Sequence, residues 1–193
     1  MGDADWPVDL HGVTETVVTT LGPNDRWNVA ALGVHAPENP EEPATARTWG
    51  QTRTQRNFDR RGEGYVQFTR DAVAFARAAL TVVEVDDPIL DGADAWALVE
   101  VDRVDAGRDG ETAWVDWTLA PVETAVRHRT VPTTNRGYGA VIEATVAASR
   151  LDVEGYDRDR LESRLSFLAD VIERCGGPVE QRALAVIRDA ADW

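Results

Sequence analysis

The chain contains no lysine; all 20 of its basic residues are arginine, set against 34 carboxylates. Without lysine there is no Schiff-base chemistry and no phosphate-cradling P-loop. Serine occurs only as Ser149, Ser163 and Ser166, and none stands in a G-x-S-x-G elbow. A single cysteine, Cys175, excludes an intrachain disulfide and a multi-cysteine zinc site. His11, His35 and His128 lie far apart and form no H-E-x-x-H pair, so no metal site is expected. No apolar run approaches the ~20 residues of a membrane span. The first residues, Met1 to Asp5, carry acids where a secretory leader carries bases, so a mobile acidic tail and a cytoplasmic location are expected. A net charge of −14 leaves no basic face for a nucleic-acid partner.

What is present supports a folded chain. At 193 residues and 43% hydrophobic, the composition suffices for one ordinary domain with its own core. Aspartate dominates the acids, and small apolar residues outnumber large ones. This pattern matches a salt-rich cytoplasm, where a Debye length of ~3 Å at 1 M salt makes a large negative charge inexpensive.

The first two-thirds read as strands. Val13–Thr20 is β-branched except for Glu15, Gly22-Pro23-Asn24-Asp25 is a turn, and Trp27–His35 is a second strand. A loop rich in Pro and Glu (Pro37–Pro43) precedes a short strand at Ala44–Gly50. Further strands are expected at Gly64–Thr69, Trp96–Val104 and Thr112–Val126, the last two joined by a hairpin connection over Asp105–Gly110. Helices are expected at Thr54–Arg61 and, behind an Asp71 cap, Ala72–Leu80. After that the period becomes helical: Tyr138 to Ser149, then Leu161 to Cys175 stopping at Gly176-Gly177, then Val179–Ala191 opened by Pro178. The pattern predicts a mainly β, α+β chain: a β-barrel or strongly bent sheet followed by three helices.

Two acid-free stretches carry arginines. Pro43–Phe58 holds Arg47, Arg53 and Arg56 with Thr52, Thr54 and Asn57 at a helix start; Thr124–Ile142 holds Arg127, Arg129, Arg136 and His128. Free N–H groups at a helix start, hydroxyls and guanidinium forks are the donors of a phosphate site. The same residues also read as an ordinary capping box, Thr52-x-x-Gln55, with solvated arginines around it.

The order "TETVVTT", "WNVAALGVH", "TWGQTRTQRNF" and "GYVQFTRDAVAFARAAL", followed by Arg136 through Ile142-Glu143 and Val146 to Arg150 and then "CGGPVEQRAL", covers nearly the whole chain. It resembles the archaeal family catalogued as domain of unknown function 447, split-barrel FMN-binding proteins related to flavin reductases. Two departures are Leu32, where the family often has proline, and Gln67, where it usually has an asparagine able to approach flavin.

The resemblance implies an FMN-binding split β-barrel over residues 1–134, with a helical region over 135–193 packed on it as one structural unit. It implies a cytoplasmic homodimer and FMN as cofactor, with NAD(P)H or another small molecule as donor if the protein is a flavin-dependent oxidoreductase. A flavin carrier without turnover, or a barrel that has lost flavin, are the alternatives. Asn28, Ala30 and Ala31 are expected beside the isoalloxazine, and Trp49 over a ring face. Thr52, Arg53, Thr54 and Asn57 are expected around the phosphate, with Val29 and Gln51 as further cofactor-binding residues. Each set has a plainer reading, as barrel packing and helix capping. Arg136 and Arg150 would face a ligand or a partner chain, or simply solvent. Cys175 is expected to be a small buried hydrophobe, and no catalytic residue is assigned.

Overall fold

The computed structural model describes residues 4–39 and 42–193. The start of the expected acidic tail, Met1–Asp3, and Pro40–Glu41 of the expected Pro/Glu loop lie outside the described residues. The chain forms two compact units. The first comprises the residues up to Arg70 with Val83–Arg129; the second comprises Asp71–Val82 with Thr130–Trp193.

The first unit holds β1 (Val13–Leu21), β2 (Trp27–His35), β3 (Ala44–Trp49), α1 (Arg53–Arg61), β4 (Glu63–Thr69), β5 (Val83–Val85), β6 (Ala93–Asp109) and β7 (Thr112–Val126). The sheet order is β1-β4-β6-β7-β3-β2-β5, and a β1–β2 pairing closes six antiparallel strands into a barrel. One edge of β2 is shared. Trp27–Val29 pair with β5, while Val34 and His35 pair with β3, so the barrel is split along that edge. Alternate residues of these strands point inward, as the period of two requires. Val18, Leu32, Val34, Val66, Val99, Val115 and Leu119 form the core with Trp117. Each such aliphatic burial contributes about 1.5–3 kcal/mol before entropy is counted.

Two features depart from the sequence reading. β6 runs to Asp109, well past Val104, because its ladder with β7 continues through Asp105↔Asp116 and Gly107↔Trp114. Gly107 allows this: a Cβ there would stand 2.5 Å from the Trp114 ring. The expected connection Asp105–Gly110 is therefore mostly strand. The second departure is β5, whose three residues are too few to show a period.

The second unit holds α2 (Ala72–Leu80), α3 (Arg136–Ala148), α4 (Arg158–Cys175) and α5 (Pro178–Ala191). Asp71, Asn135 and Asp157 cap α2, α3 and α4, each side chain accepting from backbone N–H groups of the first turn. Ala72, Ala76, Val141, Ala144, Leu165, Ile172, Leu184 and Ile187 are its core. The apolar stripe of α3 is buried within this unit. Cys175, expected inside, is exposed: it is the last residue of α4, one turn past Ile172, the last buried residue of the helix. The fold is thus α+β and mainly β, a split barrel with C-terminal helices.

Candidate functional site

Helix α1 is short, polar and held at both ends. Thr52, in extended backbone, accepts at its Oγ1 from Gln55 N–H at 3.1 Å, and Gly62 closes the other end. Thr54, Asn57 and Phe58 are its buried face, with Phe58 edge-on to Trp117 at 5.3 Å. Arg53, Arg56 and Arg60 recur at helical spacing, so they share another face. No acidic residue stands in the first turn, and the N–H groups of Arg53 and Thr54 have no acceptor within the helix.

Beneath α1 the strand register sets three polar residues in a row, Thr20 of β1, Asn28 of β2 and Glu84 of β5. Asn28 Nδ2 donates to Thr54 Oγ1 at 3.3 Å, and Asn57 Nδ2 donates to Thr20 Oγ1 at 3.0 Å. Arg60 donates to Asn57 Oδ1 at 3.0 Å and also to the Leu21 carbonyl. Buried polar groups are costly unless paired, and these pairs fix the helix over the sheet.

Between the arginine face and the β1–β2 turn lies an open cavity of about 390 Å³, lined by the 22–24 turn, Asn28, Arg53, Arg56, Asn57, Arg60 and Glu84. That volume is within the range of small-molecule sites. Arg53 Nη1 donates to Glu84 Oε1 at 2.7 Å, and Arg56 Nη1 donates to the Gln51 carbonyl at 2.7 Å. Arg56 and Arg60 have no carboxylate partner among the described residues. In a chain of net charge −14, this cavity carries three guanidiniums and one carboxylate.

Of the sequence-predicted site residues, Asn28, Arg53 and Asn57 line the cavity. Thr54 is buried behind them against Asn28, and Thr52 caps the helix. The side chain of Gln51 is exposed while its carbonyl holds Arg56. Val29 and Ala31 face the opposite side of β2 from Asn28 and Ala30, and Ala30 packs against the barrel core. The four therefore do not present side chains to one surface. Trp49 is 48% exposed at the end of β3 and is not part of the cavity.

Arg47 is committed elsewhere. It makes a two-pronged bond to Asp116 at 2.6 and 2.7 Å and lies 4.0 Å from the centre of the Trp114 ring. The hydrogen bond to Asp116 raises its pKa further above the ordinary arginine value. Gln67 is fully buried and fully engaged. It donates to Thr19 Oγ1 and the Pro88 carbonyl, and accepts from Leu90 N–H at 2.7 Å, pinning the segment before β6.

Sequence reasoning missed Asn24, Arg60 and Glu84. Arg60 was visible as the third arginine of a helical stripe. Glu84 was not, because only the β2–β5 pairing brings it there. Among the described residues no group of three His, Cys, Asp or Glu could hold a metal ion, and no helix is long and apolar enough to cross a membrane.

The family model described as protein of unknown function (DUF447), N-terminal domain, matches residues 14–128, and its companion DUF447 model matches residues 135–189. No curated protein matches the chain. Among solved structures, an FMN-bound DUF447 protein from Methanosarcina mazei superposes with a TM-score of 0.78 at 21% identity, over 94% of this chain and 96% of its own. The styrene monooxygenase flavin reductase of Pseudomonas putida S12 reaches 0.39 at 15% identity, over 60% of this chain and 79% of its own. The 2-nitrobenzoate 2-nitroreductase of Pseudomonas fluorescens reaches 0.42 at 14%, over 62% and 67%. The first likeness establishes the fold; the other two are too distant to bear on function.

Proposed function

The chain belongs to the DUF447 family, and on that premise we propose that it is a cytoplasmic FMN-binding protein whose ligand phosphate lies against the arginine face of α1. The observation that carries this reading is the cavity itself. Arg53, Arg56 and Arg60 converge on it, from a helix whose first two N–H groups have no intrahelical acceptor, in a chain of net charge −14. Guanidinium forks and helix-start N–H groups are the donors a phosphate dianion takes. The FMN bound by the Methanosarcina mazei relative supports the choice of ligand.

FMN, when bound, supplies hydride or single-electron transfer. The chain's own residues bind and orient. Arg53 and Arg56 would hold phosphate oxygens, Arg60 would hold Asn57 in place, and Asn28 would offer its amide from the floor. Among the described residues of the lining the one titratable carboxyl is Glu84, which is paired with Arg53. We further propose a flavin-dependent oxidoreductase drawing on NAD(P)H or another small donor, with a flavin carrier as the second reading.

A homodimer belongs to the proposal. The half-buried ladder Trp27–Tyr65–Trp96, with ring centres 5.4 and 5.7 Å apart, supports it by offering apolar area on the barrel. Purified protein should carry the visible absorbance of oxidised flavin, and mass spectrometry of the released ligand should give FMN. Recovery of FAD, or of colourless protein that takes up no flavin, would refute the reading. Turnover with NADH or NADPH separates reductase from carrier.

A further inference from the structure

The single carboxylate in the cavity stands where an anion is wanted. Glu84 lies at the centre of a three-residue strand, opposite Asn28. Its Oε1 takes Arg53 Nη1 at 2.7 Å, and both its oxygens are approached by Asn24 Nδ2 at 3.3 and 3.4 Å. Its side chain remains 27% accessible, so it can rotate toward water without moving the backbone pairing that holds β5.

Resting on the phosphate reading above, we propose that Glu84 is an internal counter-anion that the ligand must displace from Arg53, and that this exchange selects a phosphate monoester over a diester. Once Glu84 turns away, the lining carries three guanidiniums. A monoester dianion, at about −1.5 to −2 near pH 7, returns more negative charge than Glu84 withdraws. It gains Arg53 and Asn24 in exchange for a carboxylate that water can solvate. A diester brings one negative charge; swapping it for the single charge of Glu84 gains nothing. Glu84 thus sets both affinity and selectivity, through a competition built into the folded chain.

The test uses the whole chain, with methyl phosphate and dimethyl phosphate as probes, followed by amide chemical-shift titration at 0.1 M salt. Glu84→Gln keeps the shape and the Asn24 contact and removes the charge. It should bind methyl phosphate about tenfold more tightly, the scale of one charge-assisted hydrogen bond. It should also narrow the monoester preference of the unmodified protein. In an Arg53→Gln background the same change should give much less, because the exchange partner is gone. Equal or weaker binding by Glu84→Gln would overturn the proposal. So would an undiminished gain in the Arg53→Gln background, which would mark general charge repulsion, or no methyl phosphate binding by any variant. FMN titrated separately keeps the two readings apart. Methyl phosphate behaving as described while FMN fails to bind would refute the cofactor and leave the role of Glu84 standing.

Discussion

Arg56 and Arg53 differ in what they already hold, and the difference predicts how each responds to substitution. Arg56 reaches the cavity with only a backbone carbonyl as partner, whereas Arg53 shares Glu84. Arg56→Glu should therefore weaken FMN binding by at least about 1.5–3 kcal/mol, the range for a hydrogen bond to a charged group. Unchanged affinity in folded protein would remove Arg56 from the site. Away from the cavity, Asp94 is bonded by Arg70 at 2.7 and 3.1 Å, and this bond holds its carboxyl below the usual aspartate range. A folded-state pKa that is depressed gives stability present above the unfolded value and lost as pH falls through the folded one. Arg70→Gln should thus lower stability slightly near neutral pH, by under about 1 kcal/mol for a pair with so exposed an arginine, read as a small drop in melting temperature. The gap to the parent should close as melts are taken at progressively lower acid pH. A gap that widens in acid would contradict the assignment.

The helix–strand alternation and the buried faces were legible in the residues, since Val13–Leu21 and Trp27–His35 show strand chemistry and Leu161 to Cys175 shows helical period. The donors at the start of α1 were legible for the same reason. What could not be read was assembly at long range. Glu84 enters the site only through a pairing three residues long, and Thr54 and Asn57 turn inward only because Thr20 and Asn28 await them. The expected contact residues of β2 divide between its two faces, a consequence of the period of two that a functional pattern does not display. In the helical unit, Gly137 at the start of α3 faces Gly176, where a Cβ would stand 2.4 Å from the Gly176 Cα. Backbone cannot yield as a side-chain tip can, so Gly137→Ala should cost about 1–3 kcal/mol, the range for overpacking. A thermal melt checks it, and an unchanged midpoint would show that the two segments part freely.

For the whole molecule, charge is the dominant property. At 0.1 M salt the Debye length is ~10 Å, and the carboxylates of a −14 chain repel one another across its surface. The cores are rich in alanine and valine, which leaves modest stability to oppose that repulsion. The melting temperature should rise substantially between 0.1 M and 2 M KCl, the upper value being well inside the ~3 Å screening regime. A flat or falling series would remove the high-salt reading. Light scattering in molar salt should give about twice the 21.2 kDa chain mass if the homodimer holds, and a monomer that keeps flavin would exclude a site shared between subunits.

Phosphate recognition by the arginine face of α1 is the central feature of the proposed site, and a paired titration with FMN and riboflavin isolates it, because the two ligands share the ring and ribityl chain and differ in the phosphate alone. FMN should bind at least about tenfold more tightly than riboflavin, as one or more charge-assisted hydrogen bonds require. Equal affinities would show that the phosphate lies elsewhere and would contradict the site.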